Sequence, residues 1–265
     1  AIDTPKFSFF APKTLKEAIQ FLKANPDTRI IGSATDLGVI HNKRKLRLFK
    51  LLSLHLINEL YEIQATNNVL SFGARVTLAE FRHFIKDKVP DLANYIDVFA
   101  SPQIKNIGTL VGNVANASPI GDTPPALLAL NAKVEVHGPN GTREIPLKDF
   151  FISYRKTALQ EAEIISAVKF SLPAVNSTLR FFKNANRKDL DISGVNMAIR
   201  VDWKDKEKTQ IADIVIAAGG IAAIPLRLKK TETFLKANPL NQTTLDRAVI
   251  ELHSEFNPLS DLRAS

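Results

Sequence analysis

The chain has 265 residues, with 35 Lys and Arg against 27 Asp and Glu and a formal net charge of +8. It contains no cysteine, which excludes disulfides, Cys-ligated zinc and iron–sulfur clusters held by this chain. Its composition, with 45% apolar residues, is typical of a globular protein and excludes a disordered or collagen-like chain.

No membrane partner is expected. The longest apolar run, residues 214–226, is interrupted by two glycines and a proline and is shorter than the roughly 18 residues that a membrane-spanning helix needs. The first residues show no basic segment followed by an apolar one, so no signal peptide is predicted and the expected location is cytoplasmic. Because the chain does not begin with Met, we expect a processed chain or a segment of a longer one.

A basic segment at residues 43–50 raises the question of a nucleic-acid partner. Clustered Lys and Arg can bind nucleic-acid phosphates, but such a run is more often a solvated loop or helix end. The segment has one aromatic residue, Phe49, and the sequence lacks an RNA-recognition motif and zinc-finger spacing. We therefore expect no nucleic-acid partner, and a basic nucleic-acid-binding module remains an alternative function.

Residues 1–58 predict a small α/β lobe. Thr14 and Glu17 have the spacing of a capping box, and apolar residues recur at helical period over residues 14–24. Apolar runs at residues 29–31 and 51–56 predict two short strands, which gives a strand–helix–strand order.

Residues 59–175 predict a second lobe of mixed strands and helices. Asn67 and Asn68 mark a turn between two strands, and Thr77 and Glu80 repeat the capping-box spacing. The predicted elements are strands at 60–63 and 69–72, helices at 77–85 and 91–99, a helix at 123–130 that begins with Thr123 as N-cap and Pro124, a hairpin over 134–145 with Asn140-Gly141 at its turn, and a strand at 163–170.

Residues 176–265 predict a separable α+β lobe, with a boundary near residues 173–178. Apolar residues alternate over residues 195–203, which indicates a half-buried strand, and residues 210–217 pair back across a charged turn. An amphipathic helix over residues 245–252 is predicted to begin at Thr243 or Thr244.

The common catalytic and phosphate-binding motifs are absent. The sequence contains neither GxGxxG nor GxxxxGKS/T, and neither GxSxG nor HExxH. The five histidines lack the spacing of a metal site: His41, His55, His83, His137 and His253. We therefore predict no catalytic acid, base or nucleophile and no metal ligands.

The first unusual segment is residues 30–38. A buried strand ends in small residues, and Thr35 and Asp36 then open a predicted helix. Successive backbone N–H groups at such a start can bind a phosphate without a lysine. An ordinary strand–turn–helix corner with Asp36 as its cap explains the same pattern.

The second unusual segment is residues 101–122, rich in Gly, Ala, Ser and Asn. A long connection inside a compact domain is typically functional or disordered. We expect this one to be ordered, because Ile104, Ile107, Leu110 and Val114 can be buried. Short side chains let a ligand lie against the backbone, although a Gly-rich crossover without a ligand is equally consistent.

Together, these segments resemble a known family. Residues 100–109, Gly112-Asn113 and residues 117–122 resemble the flavin-binding domain of the molybdenum hydroxylases, the xanthine dehydrogenase family, and residues 34–38 resemble the bacterial small-subunit form of its first motif. Further similarity lies at residues 182–187, at Asp191-Ile192 and at residues 257–265, which resemble the family's third landmark and C-terminal signature.

The chain also departs from the family pattern. The family often has Gly-Gly where this chain has Ser33-Ala34, and Gly where it has Val111. A Cβ narrows the backbone conformations available there, which we interpret as tolerated variation. The sequence ends at Ser265, where relatives continue into a further helix, so a trimmed end is expected.

The resemblance implies an α+β fold. The expected architecture is a two-lobed FAD-binding domain of the PCMH type, as in vanillyl-alcohol oxidase-like flavoproteins, followed by a small α+β C-terminal domain with a three-stranded antiparallel sheet. The lobes are expected at residues 1–58, 59–175 and 176–265.

The resemblance also implies a site for non-covalent FAD. The pyrophosphate is expected against Ile30, Ile31, Gly32, Ser33, Ala34, Thr35, Asp36 and Leu37. Thr109, Gly112, Asn113 and Asp122 are expected to hold the ribityl chain and nearby polar groups. Phe99 and Ile164 are expected on the isoalloxazine faces and Lys183 near the flavin. The absence of Cys and of a usefully placed His argues against a covalent flavin link.

The implied activity is electron transfer. In the family, substrate is oxidised at a molybdenum centre and electrons pass through iron–sulfur clusters to FAD and on to NAD⁺ or O₂. The iron–sulfur domain and the molybdopterin-binding subunit are therefore the expected partners, with NAD as electron acceptor. Two further alternatives remain: the flavin subunit of a carbon monoxide dehydrogenase or aldehyde oxidase-type enzyme, and a structural adaptor that has lost its flavin.

Overall fold

The structure is a computed structural model that describes residues 1–5, 7–44, 47–188, 190–256 and 258. The described residues form a mixed α+β fold, as the resemblance implied. The C-terminal signature at residues 257–265 falls outside the described residues except for Pro258. In the part of the chain described, no helix is long and apolar enough to cross a membrane.

The N-terminal lobe is a four-stranded sheet with two helices. Its elements are Ile2–Thr4 (β1), Phe7–Phe10 (β2), Leu15–Ala24 (α1), Arg29–Ile31 (β3), Thr35–Arg44 (α2) and Lys50–Ser53 (β4). The strand order is β1-β2-β4-β3, and β2 and β3 both run parallel to β4. The turn from β3 to α2 therefore lies at the carboxyl end of parallel strands, the edge where ligands bind in α/β sheets.

Two predictions in this lobe are confirmed only in part. Helix α1 begins after Thr14, whose hydroxyl accepts the Glu17 N–H at 3.2 Å, but the Glu17 carboxylate accepts the Lys13 N–H at 2.8 Å in place of the Thr14 N–H. Half of the predicted capping box therefore forms. The strand predicted at residues 51–56 ends at Ser53, because a turn follows at residues 55–56.

The second lobe is built on an antiparallel five-stranded sheet. Its strands are Ile63–Thr66 (β5), Val69–Gly73 (β6), Lys133–Gly138 (β7), Gly141–Pro146 (β8) and Ile164–Ser171 (β11), in the order β5-β6-β11-β7-β8. A two-stranded ribbon, Phe151–Ser153 (β9) and Lys156–Thr157 (β10), precedes β11. Asn67 and Asn68 have φ of 51° and 63°, the left-handed conformation that a two-residue hairpin turn requires.

Five helices cover the second lobe in the described chain: Leu78–Ile85 (α3), Pro90–Asp97 (α4), Pro102–Lys105 (α5), Leu110–Ala115 (α6) and Thr123–Ala129 (α7). The capping box predicted for α3 is complete, since Thr77 Oγ1 accepts the Glu80 N–H at 3.2 Å and Glu80 Oε2 accepts the Thr77 N–H at 2.8 Å.

The small-residue segment of residues 101–122 is not one long loop, because part of it folds into α5 and α6.

Three local predictions in this lobe differ from the structure. The strand predicted at residues 60–63 begins only at Ile63, as β5, and pairs with β6 as expected. Residues 58–61 form a 3₁₀ turn instead, with Leu60 in the core at 1% exposure. Helix α7 takes Asp122 and not Thr123 as its N-cap. Ile104 and Ile107, expected to be buried, are 40% and 53% exposed, because the short helix α5 lies at the surface.

The C-terminal domain is an antiparallel sheet with two helices. Its elements are Ser177–Asn184 (β12), Val195–Trp203 (β13), Ile211–Gly219 (β14), Leu226–Arg227 (β15), Lys229–Ala237 (α8) and Gln242–His253 (α9). The three long strands match the expected three-stranded sheet, and the two-residue β15 adds a fourth. Helix α9 is capped by Asn241, whose side chain accepts the Thr244 N–H at 2.9 Å, and not by Thr243 or Thr244.

Both faces of the C-terminal sheet are covered. One face carries Ala198, Val215 and Ala217 into the large core shared with the first two lobes, where β13 and β14 pack on α7. The other face packs on α8 and α9 through a separate apolar cluster that includes Trp203 and Leu235. Helix α7 is thereby held against β13 and β14, and this contact positions the site described next.

Candidate functional site

A cleft of about 920 Å³ lies between the N-terminal lobe, the small-residue helices and the C-terminal domain. This volume is in the range of small-molecule and cofactor sites. Its described walls come from α2, residues 99–104, residues 113–122, Tyr154-Arg155, residues 190–194 and the turn after β14. These six segments, from all three lobes, therefore contribute to one cavity.

The turn from β3 to α2 has the backbone of a small-residue loop. Ala34 has φ of 61°, the left-handed conformation that favours glycine, and its carbonyl accepts the Gly38 N–H at 2.8 Å. Among the described residues, no hydrogen bond uses the backbone N–H groups of residues 33–37. These donors are available to an anion, as at other helix starts.

The structure brings the two unusual segments into contact. A Cβ on Gly32 would lie 3.7 Å from Thr109 Oγ1, and a Cβ on Gly108 would lie 3.6 Å from Thr35 Oγ1 and 3.0 Å from the Ile104 carbonyl oxygen. Side chains at these two glycines would fill the space between the loop and α6. The sequence alone could not predict this contact.

Helix α6 is organised by hydrogen bonds of its first residues. Thr109 Oγ1 accepts the Gly112 N–H at 2.9 Å, and Asn113 Oδ1 accepts the Thr123 hydroxyl at 2.6 Å. Asn113 thereby ties α6 to the start of α7. Val111 stands where the family often has glycine. It is helical and 4% exposed, so its side chain is accommodated by packing into the core.

A buried polar cluster forms the wall behind Asp122. Lys183 Nζ lies 2.9 Å from Asp122 Oδ2 and 2.9 Å from Ser193 Oγ, and Ser193 donates to Asp122 Oδ1. Asn196 Nδ2 donates to the Gly121 carbonyl at 3.1 Å. The Asp122 and Lys183 side chains are only 6% and 7% exposed, so each charge depends on the other for compensation.

Tyr95 completes this cluster from α4. Its hydroxyl lies 3.3 Å from the Asp122 carbonyl oxygen and 3.4 Å from Asp122 Oδ1. Burial, followed by the charge and hydrogen bond of Asp122, raises the pKa of the Tyr95 phenol above its usual value of 10.0. The phenol therefore stays protonated and donates to Asp122. Tyr95 and Ser193 were not among the residues predicted from the sequence, because no local pattern marks either one.

The predicted site residues differ in how near they lie to the cleft. Asp36, Phe99, Asn113 and Asp122 line it. Gly32, Thr35, Thr109 and Gly112 meet where the loop contacts α6, with Lys183 behind Asp122. Ile30, Ile31, Ser33, Ala34 and Leu37 belong to the same β3–α2 corner.

Ile164 is not brought to the cleft. It lies in β11 opposite His137 and is 1% exposed in the main core. Its side chain is used for packing, because β11 is the central strand of the five-stranded sheet.

Two charged residues missed by sequence analysis also border the site. Arg155 lines the cleft, with Nη1 3.8 Å from Asp36 Oδ2 and 3.5 Å from Asn116 Oδ1. Arg75 donates to the Gly32 carbonyl oxygen. Among the described residues, no group of three or more His, Asp or Glu side chains is arranged to hold a metal ion.

Comparison with protein families gives two consecutive matches. Residues 5–174 match the family described as FAD binding domain in molybdopterin dehydrogenase. Residues 180–265 match the family described as CO dehydrogenase flavoprotein C-terminal domain. The matches together cover nearly the whole chain.

Individual relatives agree with this assignment. The chain is 34% identical to the FAD subunit of nicotinate dehydrogenase from Eubacterium barkeri, over 98% of this chain and 89% of that protein. It is 31% identical to xanthine dehydrogenase 1 of Arabidopsis thaliana over 94% of its own length, and spans only 19% of that enzyme. The fold superposes on carbon monoxide dehydrogenase from Hydrogenophaga pseudoflava with a TM-score of 0.92 at 24% identity, over 100% of this chain and 92% of that one.

Proposed function

This chain belongs to the family of FAD-binding domains of molybdopterin dehydrogenases, and we propose that it is the FAD-carrying electron-transfer module of a molybdenum hydroxylase. FAD, when bound, would supply the electron chemistry of the module, accepting electrons from one partner and passing them to another. With no cysteine in the chain, the iron–sulfur clusters belong on partner domains or chains, as does the molybdopterin.

One observation carries the proposal: the loop of residues 32–35 and the start of α6 meet beside a cleft of about 920 Å³. The N–H groups of residues 33–37 fit a pyrophosphate, since they are donors without a partner in the described chain. Glycines at 32 and 108 keep open the space that side chains would fill. The residues present therefore fit an extended dinucleotide.

The proposed residue roles follow from this placement. The β3–α2 corner would bind the pyrophosphate, and Thr109, Gly112 and Asn113 would lie along the ribityl chain. Phe99 would contact the flavin ring from the cleft wall. Lys183 would act through Asp122, because its ammonium group already binds Asp122 and Ser193. Ile164 is left out of the proposed site because it is buried elsewhere.

Absorbance of the purified chain tests FAD binding. We expect a flavin band, and acid precipitation should release all flavin as FAD, because the chain has no cysteine and the described lining residues include no histidine. FMN should bind much more weakly than FAD, since it lacks the pyrophosphate. A colourless chain that takes up no added FAD would reject the proposal, and flavin retained on the precipitate would reject non-covalent binding.

We propose NAD⁺ as the electron acceptor, with O₂ as the alternative. Lys183 and Arg187 line a second cavity of about 460 Å³ beyond the cleft wall. The Lys183 charge is compensated by Asp122, so the exposed Arg187 guanidinium is the group that would suit a dinucleotide phosphate. Anaerobic addition of NADH should bleach the flavin band, whereas xanthine should not, because this chain has no molybdenum centre. Bleaching by xanthine would contradict the module assignment, and no bleaching by NADH would favour O₂ or a partner protein.

The parent enzyme has more than one candidate. The match of residues 180–265 to the CO dehydrogenase flavoprotein family supports a carbon monoxide dehydrogenase-type enzyme as well as a xanthine dehydrogenase-type one. In either case the molybdenum-bearing partner would select the substrate. Purification of the complex from its source, followed by turnover with carbon monoxide, xanthine and nicotinate, distinguishes the candidates.

We also propose that the lobes divide near residues 58 and 175. The separate N-terminal sheet, the five-stranded sheet and the C-terminal sheet support these boundaries. Limited proteolysis should cut first between β11 and β12, near residues 173–176, where Val175 is fully exposed.

A further inference from the structure

Arg75 connects the second lobe to the loop that follows β3. It lies just after β6, where its backbone N–H donates to the Leu60 carbonyl at 2.7 Å. From there its Nη1 donates to the carbonyl oxygen of Gly32, 43 residues earlier in the chain. A Cβ on Gly32 would lie 4.0 Å from Arg75 Nη1 and 3.7 Å from Thr109 Oγ1. The guanidinium therefore lies where the loop meets α6.

Tyr61 fixes the direction of the Arg75 side chain. Arg75 Nε donates to the Tyr61 hydroxyl at 3.2 Å, and the guanidinium carbon lies 5.4 Å from the centre of the Tyr61 ring. The Tyr61 hydroxyl donates in turn to the His55 carbonyl at 3.0 Å. A guanidinium is planar. The hydrogen bond from Nε and the position over the Tyr61 ring therefore fix its plane, and with it the direction in which Nη1 donates.

The contact with Gly32 determines where the next N–H points. A trans peptide is planar, so the Gly32 carbonyl and the Ser33 N–H point in opposite directions. With the carbonyl bound to Arg75, the Ser33 N–H is directed away from Arg75. Ala34 then adopts φ of 61° and α2 begins at Thr35. The orientation of the first peptide thereby sets the start of the run of free N–H groups.

We propose that Arg75 is a positioning residue for the pyrophosphate of the dinucleotide: it holds the Gly32–Ser33 peptide in the orientation that presents the loop N–H groups to the phosphates. The inference rests on the proposed function. Its charge also lies beside a loop that has no lysine, where it favours an anion. The simpler alternative is that Arg75 only joins the lobes, in which case its loss would lower stability without selective loss of FAD affinity.

Titration of the flavin-free full chain with FAD and with riboflavin separates these roles. Arg75→Gln should raise the FAD Kd about tenfold or more, the effect of losing a charge-assisted hydrogen bond, and should change the riboflavin Kd by less than about twofold. Arg75→Lys, which keeps the charge but not the planar fork, should recover part of the FAD affinity. Tyr61→Phe keeps the ring but removes the hydroxyl that accepts from Arg75 Nε and donates to the His55 carbonyl, and it should give a smaller loss of the same selectivity.

The matched control is Arg247→Gln. Arg247 also lies over an aromatic ring, 5.3 Å from the centre of Phe234, but on α9, so neither Kd should change. Equal FAD affinity in wild type and Arg75→Gln would overturn the proposal, as would an equal loss for FAD and riboflavin. If Arg75→Gln does not fold, the FAD-to-riboflavin ratio of Tyr61→Phe decides. A wild-type chain that binds no FAD would instead reject the proposed function itself.

Discussion

Lys183 and Asp122 form a buried ion pair, with Nζ and Oδ2 2.9 Å apart, that joins the C-terminal domain to the start of α7. Their side chains are 7% and 6% exposed, and Asp122 also receives hydrogen bonds from Ser193 and Tyr95. The pair therefore forms the cleft wall and the domain contact at once. Loss of either charge should affect both stability and flavin binding.

Lys183→Met should destabilise the chain by about 3 kcal/mol, because it leaves the Asp122 carboxylate buried without its cation. Urea unfolding measures the loss, and Lys183→Met with Asp122→Asn should recover part of it. Arg180→Met is the control, since Arg180 lies on the same strand as Lys183 and pairs with Asp91 of α4. Their side chains are 61% and 51% exposed, so this pair should contribute less than about 1 kcal/mol. Equal losses in the two single variants would contradict the importance of burial.

Tyr95 should make stability sensitive to alkaline pH. Burial and Asp122 raise the pKa of its phenol in the folded chain, whereas the pKa of the phenol in the unfolded chain is about 10. The neutral phenol therefore contributes stability that is fully present below about pH 10 and is lost progressively as the pH rises above it. Tyr95→Phe should flatten the fall in unfolding free energy between about pH 10 and 11.5. Identical pH profiles for the variant and wild type would show that Tyr95 contributes nothing.

Ala34→Gly should stabilise the flavin-free chain by about 0.5–1 kcal/mol, because φ of 61° strains a residue with a Cβ. Ala34→Val should lose FAD binding, since a β-branched residue disfavours this conformation and would displace the loop. Ala162 is the control: it has φ of 57° before β11, outside the cleft. Ala162→Gly should give a similar gain, but Ala162→Val should leave the FAD Kd unchanged.

Gly112→Ala should destabilise α6 by about 1 kcal/mol, the usual effect of losing an N-cap. The new Cβ would lie 2.8 Å from Thr109 Oγ1 and push that hydroxyl off the Gly112 N–H. FAD affinity should fall as well, because Thr109 lies against Gly32. Gly38→Ala, at a helical position with nothing within 4 Å of the added Cβ, should instead stabilise the chain by about 0.5–1 kcal/mol. Thermal unfolding of both variants measures the opposite signs.

Local signals are sufficient where neighbours in the chain supply the stabilising contacts. The capping box at Thr77 and Glu80, the Asn67-Asn68 turn and the alternation of β13 each depend on residues a few positions apart. The lack of cysteine likewise excludes iron–sulfur clusters on composition alone. The family resemblance predicted the fold of the FAD-binding domain, which the periodicity of apolar residues alone does not predict.

Tertiary packing decided the rest. The 3₁₀ turn at Leu60 forms because the core takes that side chain, and Ile164 is lost to the site because β11 became the central strand. The two contacts that organise the cleft join residues far apart in sequence: Arg75 to Gly32 across 43 residues, and Lys183 to Asp122 across 61. The small side chains and helix starts of residues 30–38 and 101–122 marked these segments as unusual in the sequence, and the family resemblance predicted a dinucleotide site there. Only the folded chain brings Arg75 to the first segment and Lys183 to the second. These contacts depend on which sheets and helices pack together, so no local sequence pattern marks them.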